Sequence, residues 1–201
     1  PQSSAQGNLR YALANLRKVI GDQAAEPAFL TISRQSIQFN PASASWLDVA
    51  AFQELLRPNQ DIPAEVQALE DAVALYRGSF LEGFSIGDSA AFEEWVILKR
   101  EQLHRLMLQA LHRLAAIYAG REEYERAIPH AWRQVELEPW LEEAHQQLMR
   151  LLALSGQRAS ALAQYEACRQ QLAGELGVEP LPETTRLYEQ IRDGAPLLAL
   201  E

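Results

Sequence analysis

Residues Leu137 to Pro180 read LEPWLEEAHQQLMRLLALSGQRASALAQYEACRQQLAGELGVEP, and this stretch repeats the pattern of the segment before it at an offset of 34 residues. Leu114 returns as Leu148, Tyr118 as Leu152, Ala127 as Ala161 and Ala131 as Tyr165. At the first three of these pairs large answers large and small answers small, along two helical hairpins. A single hairpin of this kind cannot bury its apolar face, so neighbours must stack into a curved solenoid whose inner surface is open to a partner. The architecture points to binding before it points to catalysis.

Working outward from the repeat, periodic apolar residues and Gly/Pro punctuation predict helices over 47–57, 63–77, 90–119, 122–137, 141–154, 158–173 and 182–192. The expected breaks are Pro58, Gly78, Gly120, Pro139, Gly156, Gly174, Gly177 and Pro182. Pro41 to Ser45 is a short linker of small residues, and Asp48 is a first-turn acid favoured by the helix dipole. The closing GAPLLALE is apolar for a terminus and is expected to dock on the helical body.

The opening differs in kind. Ser3 and Ser4 can cap a helix running to about Ile20, with Gly21 as its stop. Leu9, Ala12, Leu13, Leu16 and Ile20 share one side of that helix. Its other side presents Arg10, Tyr11, Asn15, Arg17 and Lys18, which can hydrogen-bond phosphates and base edges. FLTIS and SIQFN then alternate apolar and polar residues about Arg34 and Gln35, the pattern of a β-hairpin. A helix followed by such a hairpin is how a winged helix ends.

Charge follows the same division. The 201 residues carry a net charge of -9, yet residues 1–40 sum to +2 and the remainder to -11. A basic opening on an acidic helical body is expected where only the opening faces phosphate. A single cysteine, Cys168, leaves no disulfide and no CxxC pair, which fits a reducing compartment. No apolar run approaches the roughly 18 residues of a membrane span, and no signal peptide is evident, so the expected location is cytoplasmic. The chain starts at Pro1 rather than Met, and a trimmed fragment with a segment upstream is expected.

Taken in order, NLRYALANLRKVIG, a hairpin, WLDVAAFQELL, LEDAVALYRGSFLEGF, FEEWVILKREQLHRL and the block from Pro139 through Pro180 closely resemble the bacterial transcriptional activator domain of the antibiotic-regulatory class of activators. The specific part is that last block, where E-A-H, L-x-x-x-G, A-L-x-x-Y and E-L-G-V-x-P all occur in sequence. In that family a winged helix precedes the helical domain, and its recognition helix matches residues 4–20 here. The strands and two helices that should come before it are absent from this chain, so the chain alone is expected to bind DNA weakly or not at all. The resemblance implies that Arg10, Tyr11, Asn15 and Lys18 address the major groove, with Arg34 at the wing tip, and Arg17 on the same polar side is a further candidate DNA contact.

No catalytic, metal or cofactor site is expected. His104, His112, His130 and His145 form neither HExxH nor a Cys/His cluster. Glu142, Glu143 and His145 have no nucleophile beside them, and no phosphate-binding glycine motif is present. Cys168 reads as a small core residue. The aromatics Trp46, Tyr76, Phe80, Phe84, Phe92, Trp95, Tyr118, Tyr124 and Tyr165 are assigned to the core. Trp132 and Trp140 flank a turn at the repeat junction and are the candidates to line a partner groove.

The sequence therefore predicts a mainly α chain: a tetratricopeptide-like helical-hairpin solenoid over 41–201, preceded over 1–40 by a partial winged helix of recognition helix and β-hairpin wing. The expected partners are promoter DNA, through the complete winged helix of the parent, and RNA polymerase or a second protomer, through the helical domain. The alternative is a helical-repeat regulatory module that binds a peptide, a ligand or another domain without touching DNA.

Overall fold

The computed structural model of the protein describes residues 2–57 and 61–197, with side chains from residue 5 onward. The chain divides into two compact units, Pro1–Ala51 and Phe52–Glu201.

In the first unit, α1 (Gln2–Val19) is an amphipathic helix that ends at Gly21, whose φ of +70° a side chain would strain. The helix already includes Ser3 and Ser4, so neither stands outside it as a cap; their side chains lie outside the described residues. Strands β1 (Leu30–Ile32) and β2 (Ile37–Phe39) pair antiparallel with Leu30 opposite Phe39 and Ile32 opposite Ile37. The Ser33 hydroxyl accepts the Gln35 and Ser36 amides and closes the turn that carries Arg34. Helix α2 (Asp48–Leu55) begins at the expected acid, and the unit boundary falls within it.

The second unit is all helix among its described residues: α3 (Ile62–Leu75), α4 (Ala90–Gly120), α5 (Tyr124–Leu137), α6 (Glu142–Leu154), α7 (Arg158–Glu175) and α8 (Pro182–Asp193). Successive helices pack as α4 on α5, α5 on α6, α6 on α7 and α7 on α8, with α6 also touching α8. The three-residue links at 121–123 and 155–157 permit only antiparallel neighbours. This is a mainly α, tetratricopeptide-like solenoid with a terminal helix closing its end.

The repeat holds in its backbone as well as at most of its core positions. Leu114, Leu148, Tyr118, Ala127 and Ala161 are all wholly buried, and Leu152 nearly so. At the turns, Glu123 N–H donates to the Tyr118 carbonyl at 2.9 Å and Gln157 N–H to that of Leu152 at 2.8 Å, again 34 residues apart. Gly156 takes φ +82° and its counterpart Glu122 takes φ +61°, a left-handed position held here without glycine. The Gly120 and Gly174 breaks are corrected by this geometry: α4 includes Gly120 and α7 runs to Glu175, while Glu122 and Gly177 (φ +68°) make the turns. Pro58 lies outside the described residues. Leu197 packs on the core, as expected of an apolar tail; the tail beyond it lies outside the described residues.

The aromatic assignment holds only in part. Tyr118 and Tyr165 are buried, but Trp46, Phe84 and Trp95 are exposed. Phe80, Phe84, Phe92 and Trp95 instead stack edge-on or tilted upon one another, with centroids 5.6–5.9 Å apart. Mutual aromatic packing thus replaces burial in the common core.

Candidate functional site

The polar side of α1 is built by helical spacing alone. At about 100° per residue, Arg10, Tyr11, Asn15 and Lys18 spread across one face, and all four are exposed, Tyr11 by 73%. The residues between them are Ala12, Leu13, Ala14, Leu16 and Arg17, of which only Arg17 is polar. Leu9, Leu16 and Ile20, on the opposite side, also remain exposed. Arg34 projects from the tight β1–β2 turn and is exposed as well.

Arg17 is placed differently. Its Nε donates to Asp22 Oδ2 at 2.6 Å, and the other oxygen, Oδ1, accepts the Leu30 amide at 2.8 Å. The Asp22 side chain is 0% exposed, and the Arg17 hydrogen bond holds its carboxyl below the usual carboxylate range although burial opposes this. Sequence reasoning missed Asp22. The available signal was an acid directly after the helix-stopping Gly21, five residues from an arginine.

In the helical unit the repeats leave a groove of about 620 Å³, lined by Leu69, Leu106, Ala110, His112, Arg113 and Glu143 among others. Its floor is apolar and its rim mixed in charge. Trp132 and Trp140 do not line it; they lie on α5 and on the α5–α6 turn and are 42% and 47% exposed.

Two sets of buried polar side chains knit the helices together, one of them at the groove wall through Gln134. Gln134 Nε2 donates to Gln147 Oε1 at 2.7 Å, and Gln147 Nε2 to the His112 carbonyl at 3.1 Å. His145 is read as the neutral tautomer that donates from Nε2 to the Pro139 carbonyl at 2.8 Å while Nδ1 accepts from Gln164 Nε2 at 2.7 Å. Among the described residues no buried polar side-chain atom lacks a partner. His145 thus serves the fold, and the other histidines lie apart from it: His104 faces Glu138 at 2.8 Å, and His130 stacks on Tyr118. Burial of Cys168 pushes its thiol up to about 12, with Glu142 adding to the effect, which suits a core residue.

Burial also lowers the pKa of His145 and of His130. A depressed histidine favours the neutral form in the fold, so its stabilisation is complete above the unfolded value of about 6.5 and is lost as pH falls through the lower folded value. The melting temperature is therefore expected to decline between about pH 7 and pH 5, and less so in a His145→Gln variant, which keeps a donor and an acceptor. Melts that coincide across that range in the wild type would show that neither imidazole is protected.

Among the described residues no helix is long and apolar enough to cross a membrane. A family model described as the bacterial transcriptional activator domain matches residues 47–192. The chain is 27% identical over 205 residues to the regulatory protein AfsR of Streptomyces coelicolor, covering 99% of the chain and 19% of that protein. To the transcriptional regulatory protein MoaR1 of Mycobacterium tuberculosis it is 26% identical over 205 residues, covering 98% and 64%. The chain thus spans less than two thirds of the length of these curated relatives. Among solved structures, Mycobacterium tuberculosis EmbR in complex with a low affinity phosphopeptide shares the fold with a TM-score of 0.65 at 21% identity, over 99% of this chain and 52% of that one. The C-terminal TPR-containing domain of a Plasmodium falciparum FK506-binding protein matches 75% of this chain and 93% of its own at a TM-score of 0.50 and 13% identity.

Proposed function

The chain belongs to the bacterial transcriptional activator domain family, and from that premise we propose that it is the regulatory body of a DNA-binding transcriptional activator working in the bacterial cytoplasm. In this reading residues 1–40 are the end of a winged helix and residues 41–201 are the helical domain. The observation that carries the DNA half of the reading is the unobstructed polar face of α1, with Arg10, Tyr11, Asn15 and Lys18 exposed together. A recognition helix docks such a face into the major groove, and Arg34 at the wing tip reaches phosphate or the adjacent minor groove. The net +2 of this segment beside an acidic body favours approach by this end.

The helical domain holds a protein partner, either RNA polymerase or a second protomer. The apolar-floored groove supports this role, and the exposed Trp132 and Trp140 are the aromatic anchors we assign to the contact. No reaction is assigned to the chain.

The test is a salt-dependent titration of the whole protein on promoter and random DNA, with and without Lys18→Ala. Loss of one phosphate contact should flatten the salt slope by about one unit, and an unchanged slope would take Lys18 off the DNA. If the whole protein binds neither DNA, the helical-repeat module without DNA binding takes the place of the activator.

A further inference from the structure

The sequence offers Arg17 as one more basic residue on the polar face of α1, but at helical spacing it lies at that face's edge, beside Leu13. Its guanidinium turns away to a buried carboxylate whose two oxygens serve two elements at once. Asp22 Oδ2 takes Arg17 Nε from the last turn of α1, and Asp22 Oδ1 takes the amide of Leu30, the first residue of β1. The backbone adds a third tie, from Asp22 N–H to the Arg17 carbonyl at 2.9 Å. Ion-assisted hydrogen bonds of this length, shielded from water, are the strong and directional kind.

What this tie governs follows from how slight the wing is. It consists of two strands of three residues each, in a sheet of two strands. The side-chain bonds at Asn40 near its base, from Asn40 Nδ2 to the Ala28 carbonyl at 2.8 Å, from the Ala42 amide to Asn40 Oδ1 at 3.1 Å and from Ser43 Oγ to the Asn40 carbonyl at 2.7 Å, tie the hairpin's own ends and do not reach α1. A hairpin that small has little ladder to orient it. We propose that Asp22 is the positioning residue of the DNA-reading unit: it fixes the wing, and with it Arg34, against the recognition helix, and Arg17 serves that clamp instead of the DNA. This rests on the DNA-reading function proposed above, although the clamp itself can be tested without DNA. Two parts of one protein that must meet the same duplex gain affinity only if their separation is set beforehand.

Asp22→Asn keeps the shape but presents one acceptor and one donor, so it can satisfy Leu30 or Arg17, not both. Without DNA, hydrogen exchange of the Leu30 amide in the whole protein is expected to accelerate in D22N while that of Leu13, within α1, stays as it was. With DNA, Arg34→Ala is expected to weaken promoter binding about tenfold in the otherwise native protein, as loss of a charged hydrogen bond does, and to cost almost nothing further in D22N. Lys18→Ala should cost the same in both backgrounds. Should D22N fail to fold, Arg17→Lys replaces it, since it keeps the charge that a phosphate contact needs but loses the guanidinium Nε. An R17K protein in which Arg34→Ala has lost its effect supports the clamp; one in which Arg34→Ala keeps its full cost overturns it. Unchanged Leu30 exchange in D22N overturns it as well. If Arg34→Ala is silent in the native protein, the wing's part in DNA binding fails, and Leu30 exchange alone then decides whether the clamp stands.

Discussion

Leu148→Ala is expected to lower the unfolding free energy by about 2 to 5 kcal/mol. Leu148 lies in α6 and is wholly buried, within a core that includes Leu114, Tyr118, Leu152, Ala161 and Tyr165. Three features place the loss toward the upper part of that span. The surrounding small residues, Ala127, Ala131 and Ala161, already bring the helices to close approach, so they have little side chain with which to fill the void. Gln134 and Gln147 are held by directional hydrogen bonds and cannot turn into it without breaking them. The third is the position of α6, between α5 on one side and α7 on the other, so a void there loosens two interfaces at once. Urea unfolding followed by circular dichroism measures the change, with the exposed Leu176→Ala as control, expected within about 0.5 kcal/mol of the native protein. A Leu148→Ala protein as stable as that control would break the equivalence of Leu114 and Leu148, and the 34-residue register with it.

That register was the most legible part of the chain, because buried positions on stacked hairpins must alternate large and small and so leave a period in the residues themselves. Helix ends were legible to within a residue or two wherever a glycine or proline marks them. They were not where the left-handed turn residue is Glu122, since nothing in a glutamate announces positive φ. The aromatics of the α3–α4 region were misassigned for a related reason. Hydrophobicity says that Phe84 and Trp95 seek contact, but it does not distinguish the common core from a cluster of their own. The buried Gln134, Gln147 and Gln164 also escaped notice, although positions 147, beside Leu148, and 164, beside Tyr165, lie next to buried core residues. In residues 1–40 the exposed face of α1 followed from spacing, whereas the turning of Arg17 toward Asp22 depends on where β1 arrives, which is a tertiary fact.

Glu142 shows the same gap between local and tertiary reading, and its replacement by alanine is expected to cost about 2 to 6 kcal/mol. From sequence, Glu142 and Glu143 are two first-turn acids that favour the dipole of their own helix. In the fold only Glu143 is left to that role, since Glu142 is buried and its carboxylate crosses to the start of α8. There Oε2 accepts the Leu181 amide at 2.9 Å, Oε1 the same amide at 3.2 Å, and the Thr184 hydroxyl donates to Oε2. Helix α8 needs this help. Its N-cap residue is Leu181, which has no side-chain oxygen to offer, and Pro182 supplies φ but no donor. A carboxylate from another repeat thus anchors the start of the helix through the amide of the N-cap residue itself, and Thr184 passes the tie on by accepting from Gln146 Nε2 at 2.9 Å. Removing it strands a backbone amide and a wholly buried hydroxyl, each costing about 1 to 3 kcal/mol, against the roughly 1 kcal/mol of an ordinary cap. Because Leu187 and Ile191 of α8 close the end of the core, the loss is expected to appear first as faster hydrogen exchange along α8 and then as a lower melting temperature. Glu143→Ala, one residue away and exposed, carries only the dipole effect and is expected to change stability by less than about 1 kcal/mol. Equal costs for the two alanine variants would reduce Glu142 to a surface acid and leave the N-terminus of α8 without a cap.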